Sequence, residues 1–171
     1  VLVSIPSDVD LAANAQSSGD DILFMNNSGV SEKLPHEIEV FDNSTGELVC
    51  WVNVSSLSSS TDTVLYMYYG NPVCSNQENV AGVWDSDFVM VQHMEDETSS
   101  TIADSSSYGN DGTKHASGEP LESSGIFGSA QDFDNVDDYI NCGTDSSLGP
   151  TEVTVEGWVN LSSYDAAMDC L

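Results

Sequence analysis

Apolar and polar residues alternate with a period of two along most of this chain, and glycine, serine, asparagine or aspartate occupies nearly every gap between the runs. Side chains of an extended strand point to opposite faces in turn, so such runs read as half-buried strands and the gaps as turns. In order, the strand-like runs are "VLVSIP", "DILFMNN", "HEIEVFD", "ELVCWVNV" and "TVLYMYYG". A second set follows from near Asp85: "DFVMVQHM", "NDGTKH", "SAQDFDN", "DYINCG" and "TEVTVEGWVNL". Asn43-Ser44-Thr45-Gly46 is turn chemistry and predicts a hairpin between the third and fourth runs. "TVLYMYYG" is apolar on both faces and predicts a buried central strand. The one helical stretch, "PSDVDLAANA", predicts a turn or two with Ser7 as N-cap and Asp10 three residues on. Many short strands between turn signals predict an all-β chain of β-sandwich architecture. The 171 residues suffice for one full domain or two small or incomplete ones. The chain opens inside a strand without Met and ends on "SSYDAAMDCL" with no closing element, which reads as a fragment of a longer protein.

Charge removes whole classes of partner. There are 29 acidic residues against two lysines, Lys33 and Lys114, no arginine, and a formal net charge of -27. Binding nucleic acid requires cations that displace phosphate counterions, so a nucleic-acid partner is excluded, and anionic membrane surfaces are disfavoured for the same reason. No apolar run is long enough to span a bilayer. The acids form a solvated coat suited to salty surroundings or to secretion; the sharper reading adds calcium at some of them. Cys50, Cys74, Cys142 and Cys170 contain no CxxC pair, against a zinc or redox site. Pairing of Cys50 with Cys74 and buried free thiols both remain open. Sequons at Asn26, Asn43, Asn53 and Asn160 are compatible with an exported chain.

Glu37, Glu39 and Asp42 in "EIEVFD" have the spacing of a glucanase strand of the Glu-x-Asp-x-x-Glu kind, with acid types interchanged. Alternation puts Glu37 and Glu39 on one face and returns Asp42 to the other, so a three-acid cluster needs a bulge. Asp42 also opens the turn "DNSTG", where Asp accepts backbone bonds, and the stretch reads as a hairpin rather than a catalytic strand. No G-x-S-x-G elbow, phosphate loop or histidine group with zinc spacing accompanies it, so no catalytic residue is assigned. His93 reads as a satisfied core histidine.

The residues of both halves resemble known families. "DLAANA…DDILFMNNSG", "LPHEIEVFDNSTGELVCWVNVSSLSSSTDTVLYMYYGNP" and "VWD" make residues 1–84 similar to the DUF2341 family of bacterial and archaeal surface or secreted proteins. "FVMVQHMED", "ADSSSYGNDGT", "GIFGSAQDFDNVDDYINCG" and "EVTVEGWVNL" make residues 85–171 look like the first part of a laminin-G-like, concanavalin-A-like jelly roll. The resemblance implies two β-sandwich, jelly-roll-like domains, the second incomplete, and a binding or adhesion role, often toward glycans and often with calcium. Candidate calcium ligands are then Asp104, Asn110 and Asp111 in one oxygen-rich loop, with Asp132 and Asp134, and beside them Asp137 and Asp138, in another. The alternative at each loop is an Asx turn. Phe133 falls opposite Asp132 and Asp134, so those acids share a face. Aromatic candidates for stacking on a sugar are Trp51 and Tyr108, with Tyr68, Trp84 and Trp158 as further rings. Trp51 faces away from Leu48, Cys50 and Val52 and is either half-exposed or packed under a loop; Trp158 reads as core.

The expectation is therefore a non-catalytic extracellular or cell-surface module that binds a glycan or cell-surface polymer, with calcium as its cofactor. Its rivals are an accessory module of a polysaccharide-degrading enzyme and a structural spacer without a specific ligand.

Overall fold

The computed structural model describes residues 1–26, 32–95, 100–115 and 119–162; Asn27, the closing stretch and Cys170 lie outside the described residues. The chain is all-β. β1 (Leu2–Ile5), β5 (Glu47–Val52) and β4 (His36–Asp42) form an antiparallel sheet in that order. A second sheet has β2 (Leu23–Met25) between β3 (Lys33–Leu34) and β6 (Tyr66–Tyr68). Phe24 and Leu34 from the second sheet and Leu48, Cys50 and Val52 from the first meet in one buried core with Leu11 and Ile22. Leu11 comes from helix α1 (Val9–Asn14). Two layers facing each other across apolar side chains is the stable arrangement for sheets this small.

α1 begins one residue later than expected. Asp8, not Ser7, is its N-cap, and its Oδ1 accepts from the backbone N–H groups of Asp10 and Leu11 at 2.9 Å each. That bond satisfies two of the free N–H groups that every helix start presents. The expected hairpin is present, and Asp42 opens its turn by accepting from Ser44 and Thr45. β4 carries a bulge between Ile38 and Val40, leaving Glu39 without a residue opposite. The bulge turns Phe41 inward against the core, while Ile38 stays inside and Glu37 and Glu39 both face out. The outer edge of β4 is covered: Glu78 accepts the Ile38 N–H at 2.7 Å, and the Asn79 N–H donates to His36 O at 3.0 Å.

Three expectations are corrected. "TVLYMYYG" forms a three-residue edge strand rather than a central one, with Tyr66 and Tyr68 exposed. Two backbone N–H groups just beyond it, at Gly70 and Asn71, donate to the buried Asp21 carboxylate and draw the chain off the sheet. "DFVMVQHM" is not a strand, because the Val91 N–H donates to Asp104 Oδ1 and the Val91 carbonyl accepts from Ser105 instead of joining a ladder. "TEVTVEGWVNL" is not a strand either, and Trp158 is 77 % exposed rather than core; no described residue pairs with it. Cys50, Cys74 and Cys142 are all free thiols.

The second half is built from β7 (Thr101–Ile102), β8 (Gly112–Lys114), β9 (Leu121–Ser124), β10 (Ser129–Asp132) and β11 (Ile140–Asn141). These form a sheet ordered β11-β8-β7 and a separate β9–β10 hairpin. Ile102 is the buried large apolar residue there among the described residues, and much of the remaining interior is polar: Ser106, Asn110 and Lys114. Lys114 Nζ donates to the Pro120 carbonyl at 2.8 Å.

Gly46 fixes the hairpin turn against the helix. Its φ is +71°, and a Cβ there would lie 1.9 Å from the Asp8 carbonyl oxygen, backbone that cannot step aside. Gly109, also left-handed at φ +66°, has nothing within 4 Å of that position. Urea unfolding should therefore separate the two alanine variants. Gly46→Ala is expected to cost at least about 3 kcal/mol from strain plus clash, and Gly109→Ala about 1 kcal/mol from strain alone. Equal costs would show that the turn does not hold the helix as described.

Candidate functional site

The bulge on β4 places two carboxylates on the outer face of the first sheet, and a histidine from far along the chain sits between them. His93 Nε2 lies 3.2 Å from Glu37 Oε2, and its Nδ1 lies 3.3 Å from Glu39 Oε2. The Nε2–H does not point along the Glu37 contact, so that approach is an ion pair rather than an aligned hydrogen bond. Each glutamate is also held by an indole: Trp84 Nε1 donates to Glu37 Oε2 at 2.6 Å and Trp51 Nε1 to Glu39 Oε2 at 2.7 Å. Ser105 Oγ donates to the other oxygen of Glu37. The rings close over the ions, with Trp51 stacked on His93 at 6.2 Å and Trp84 tilted on Trp51 at 5.4 Å.

Each partner arrives for a local reason. Glu37 pairs with Trp51 across the β4–β5 ladder, so ring and acid share a face. Trp84 follows the short turn Val80–Gly82, which the Asn53 side chain holds by donating to the Gly82 carbonyl at 2.8 Å. His93 and Ser105 are set by Asp104. Its carboxylate accepts from the backbone of Val91, Ser106 and Asn110 and from Ser106 Oγ, gathering two chain segments.

Electrostatics follow from the geometry. Burial alone would push His93 down, but contact with Glu37 and Glu39 outweighs it and raises its pKa to about 9. Burial alone would push Glu37 up, yet the contact with His93 and the bonds from Ser105 and Trp84 hold it below the usual carboxylate range. Glu39 is likewise lowered against its own burial, by His93 and Trp51. At neutral pH the cluster is two carboxylates around one imidazolium. Beside it opens a cleft of about 360 Å³ with a mixed lining, polar at Glu37, Glu39, His93 and Ser105 and apolar at Ile38 and Ala103.

The residues predicted as ligands fall elsewhere, Trp51 excepted. Trp51 is half-buried and packs under the Trp84–His93 segment. Tyr108 is exposed, with its hydroxyl donating to the Ser86 carbonyl at 3.0 Å. Asp104, Asn110 and Asp111 do come together, as the frame of one loop: Asp111 Oδ1 accepts the Asp104 N–H at 2.9 Å. Asn110 donates to Val89 O and Ser147 Oγ. Asp132 and Asp134 line one shallow cleft with Asp138. Carboxylate oxygens of Asp134, Asp137 and Asp138 lie within 4.8 Å of one another, close enough to share a cation. Alternation in the sequence places Glu37 and Glu39 on one face but gives no sign that His93 joins them; the two glutamates at i and i+2 on a half-buried strand are the cluster's only local trace.

The cluster makes a signed prediction. His93 is raised above its unfolded value near 6.5, so its stabilisation is complete below about pH 6.5 and is lost as pH rises toward 9. The lowered glutamates act at the other end: their contribution is present above about pH 4.5 and is lost as pH falls. In urea unfolding from pH 6.5 to 9, the wild-type midpoint should fall, with a loss on the order of 2 kcal/mol given partial wetting of the cluster. His93→Gln should be less stable at pH 6.5 and lack that fall. Any alkaline loss from buried Cys50, whose pKa is pushed up to about 12 by burial, is shared by both proteins and cancels. Parallel pH profiles would remove His93 from the account.

Among the described residues no helix is long and apolar enough to cross a membrane. No curated protein and no solved structure is significantly similar to the chain. The family described as "Domain of unknown function (DUF2341)" matches residues 18–110. The match runs past residue 84 and takes in every member of the cluster, from Glu37 to Ser105. The chain belongs to the DUF2341 family.

Proposed function

We propose that this chain is a non-catalytic, glycan-directed binding module of a secreted or surface-displayed protein, its second half built as the opening part of a laminin-G-like jelly roll. The observation that carries the non-catalytic reading is the sharing of one imidazolium by Glu37 and Glu39. A glycosidase of the two-carboxylate kind needs one acid kept protonated to protonate the leaving oxygen. Here both glutamates are held ionised: Glu37 accepts from the Trp84 indole and the Ser105 hydroxyl, Glu39 accepts from the Trp51 indole, and the His93 ring lies against both. Chemistry at the pair would have to break the contacts that hold His93 in place.

The glycan direction is supported by charge and by exposed rings. A chain at -27 repels nucleic acids and acidic polymers but not neutral polyhydroxyl chains. Export fits the same acidic coat. Calcium is supported at Asp134, Asp137 and Asp138. In the other loop, Asp104 already accepts four hydrogen bonds from its own surroundings.

Two measurements test this. Incubated with neutral oligosaccharides, the protein is expected to bind at least one and to release no cleavage product; hydrolysis abolished by Glu37→Gln would overturn the non-catalytic reading. Absence of any saturable binding would favour the spacer. Calorimetric titration of calcium at high monovalent salt is expected to show one saturable site that Asp134→Ala removes. Only weak, non-saturating heat would mark these acids as part of the coat.

A further inference from the structure

The outer face of the β3–β2–β6 sheet presents a feature that neither the cluster nor the core uses. Phe24, Leu34 and Met67 lie opposite one another on the inner face, against the core. The register then puts Leu23 opposite Tyr68, and Met25 opposite both Tyr66 and Lys33, on the other face. Tyr66 is 37 % and Tyr68 42 % exposed. Two residues apart on one strand, their Cα atoms are about 6.7 Å apart. The two rings therefore stand in series over a floor made by Leu23 and Met25.

Composition makes this face unusual within the chain. Of 171 residues 29 are acidic, yet none of the five on this face is, and its one charge is Lys33. An edge strand apolar on both sides, "LYMYY", needs something to cover its outer side or a reason to leave it bare. A second copy of the chain would bring -27 against -27, which opposes self-association. Anionic polymers meet the same repulsion. An uncharged chain of sugar rings does not: its C–H faces lie flat on aromatic rings, and its hydroxyls bond to the phenol oxygens that keep the face wetted.

We infer that the outer face of the β3–β2–β6 sheet is a binding platform for a neutral polysaccharide chain, with Tyr66 and Tyr68 as its stacking residues. The inference rests on the glycan reading above and moves the contact away from Trp51 and Tyr108.

Affinity electrophoresis through gels containing a soluble neutral β-glucan tests it, with a uronate polymer as the anionic comparison. The wild type should be retarded by the neutral polymer alone. Tyr66→Ala/Tyr68→Ala should lose binding about tenfold or more, with its urea midpoint showing that it is folded. Tyr66→Phe/Tyr68→Phe, which keeps the rings, should retain most of the affinity, and Tyr108→Ala all of it. Retarded wild type with undiminished binding by the double alanine variant would overturn this platform and leave the glycan reading standing. No retardation of the wild type on any neutral polymer would overturn both. A wild-type dimer in sedimentation velocity, dissociated by the double alanine variant, would show that a second copy covers the face and overturn the platform equally.

Discussion

One imidazolium shared between two glutamates is the contact on which the arrangement of this chain depends. Glu37 and Glu39 belong to the well-packed first sheet, while His93 and Ser105 belong to a segment with little apolar core of its own. Polar contacts organise that segment: Asp104 gathers the loop around it, and Trp84 carries the chain across to Glu37. The Gly125–Gly128 turn of the β9–β10 hairpin leans on the same place, where a Cβ on Gly128 would lie 2.7 Å from Glu39 Oε1. Half-buried ion pairs are costly to desolvate, and they hold here because every carboxylate also receives hydrogen bonds from neutral donors.

The cluster also answers how a chain with 29 acids and two lysines can bury carboxylates at all. With so few permanent cations, the charge that balances Glu37 and Glu39 comes from a histidine whose own pKa they raise. The arrangement is self-consistent, and it binds the fold to pH. His36, buried with neither ring nitrogen hydrogen-bonded, leans the other way, its pKa lowered first of all by burial. Its neutral form stabilises the fold above about pH 6.5, and that contribution is lost as pH falls. The two histidines therefore act in opposite senses, His93 against alkali and His36 against acid.

What was legible in the sequence was local. The hairpin from His36 to Val52, its Asp42 turn and the inward face of Leu48, Cys50 and Val52 all follow from alternation and turn chemistry over a few residues. The need for a bulge was visible, but not its presence, because a bulge is settled by how Phe41 and Ile38 pack rather than by the strand itself. The Glu37–His93 contact joins residues 56 apart and no periodicity reports it. "TVLYMYYG" misled because two apolar faces signify burial only when something covers both. "TEVTVEGWVNL" has the alternation of a strand without a ladder among the described residues, and alternation cannot supply the partner.

The most direct measurement is the ionisation of His93 itself, followed by the ring resonances of specifically labelled histidine through a pH titration with His93→Gln for assignment. The account predicts an imidazolium at neutral pH that gives up its proton at about pH 9. A His93 that titrates at or below the ordinary histidine value near 6.5 would mean that the two glutamates do not share its charge, and the description of the site would be wrong at its centre.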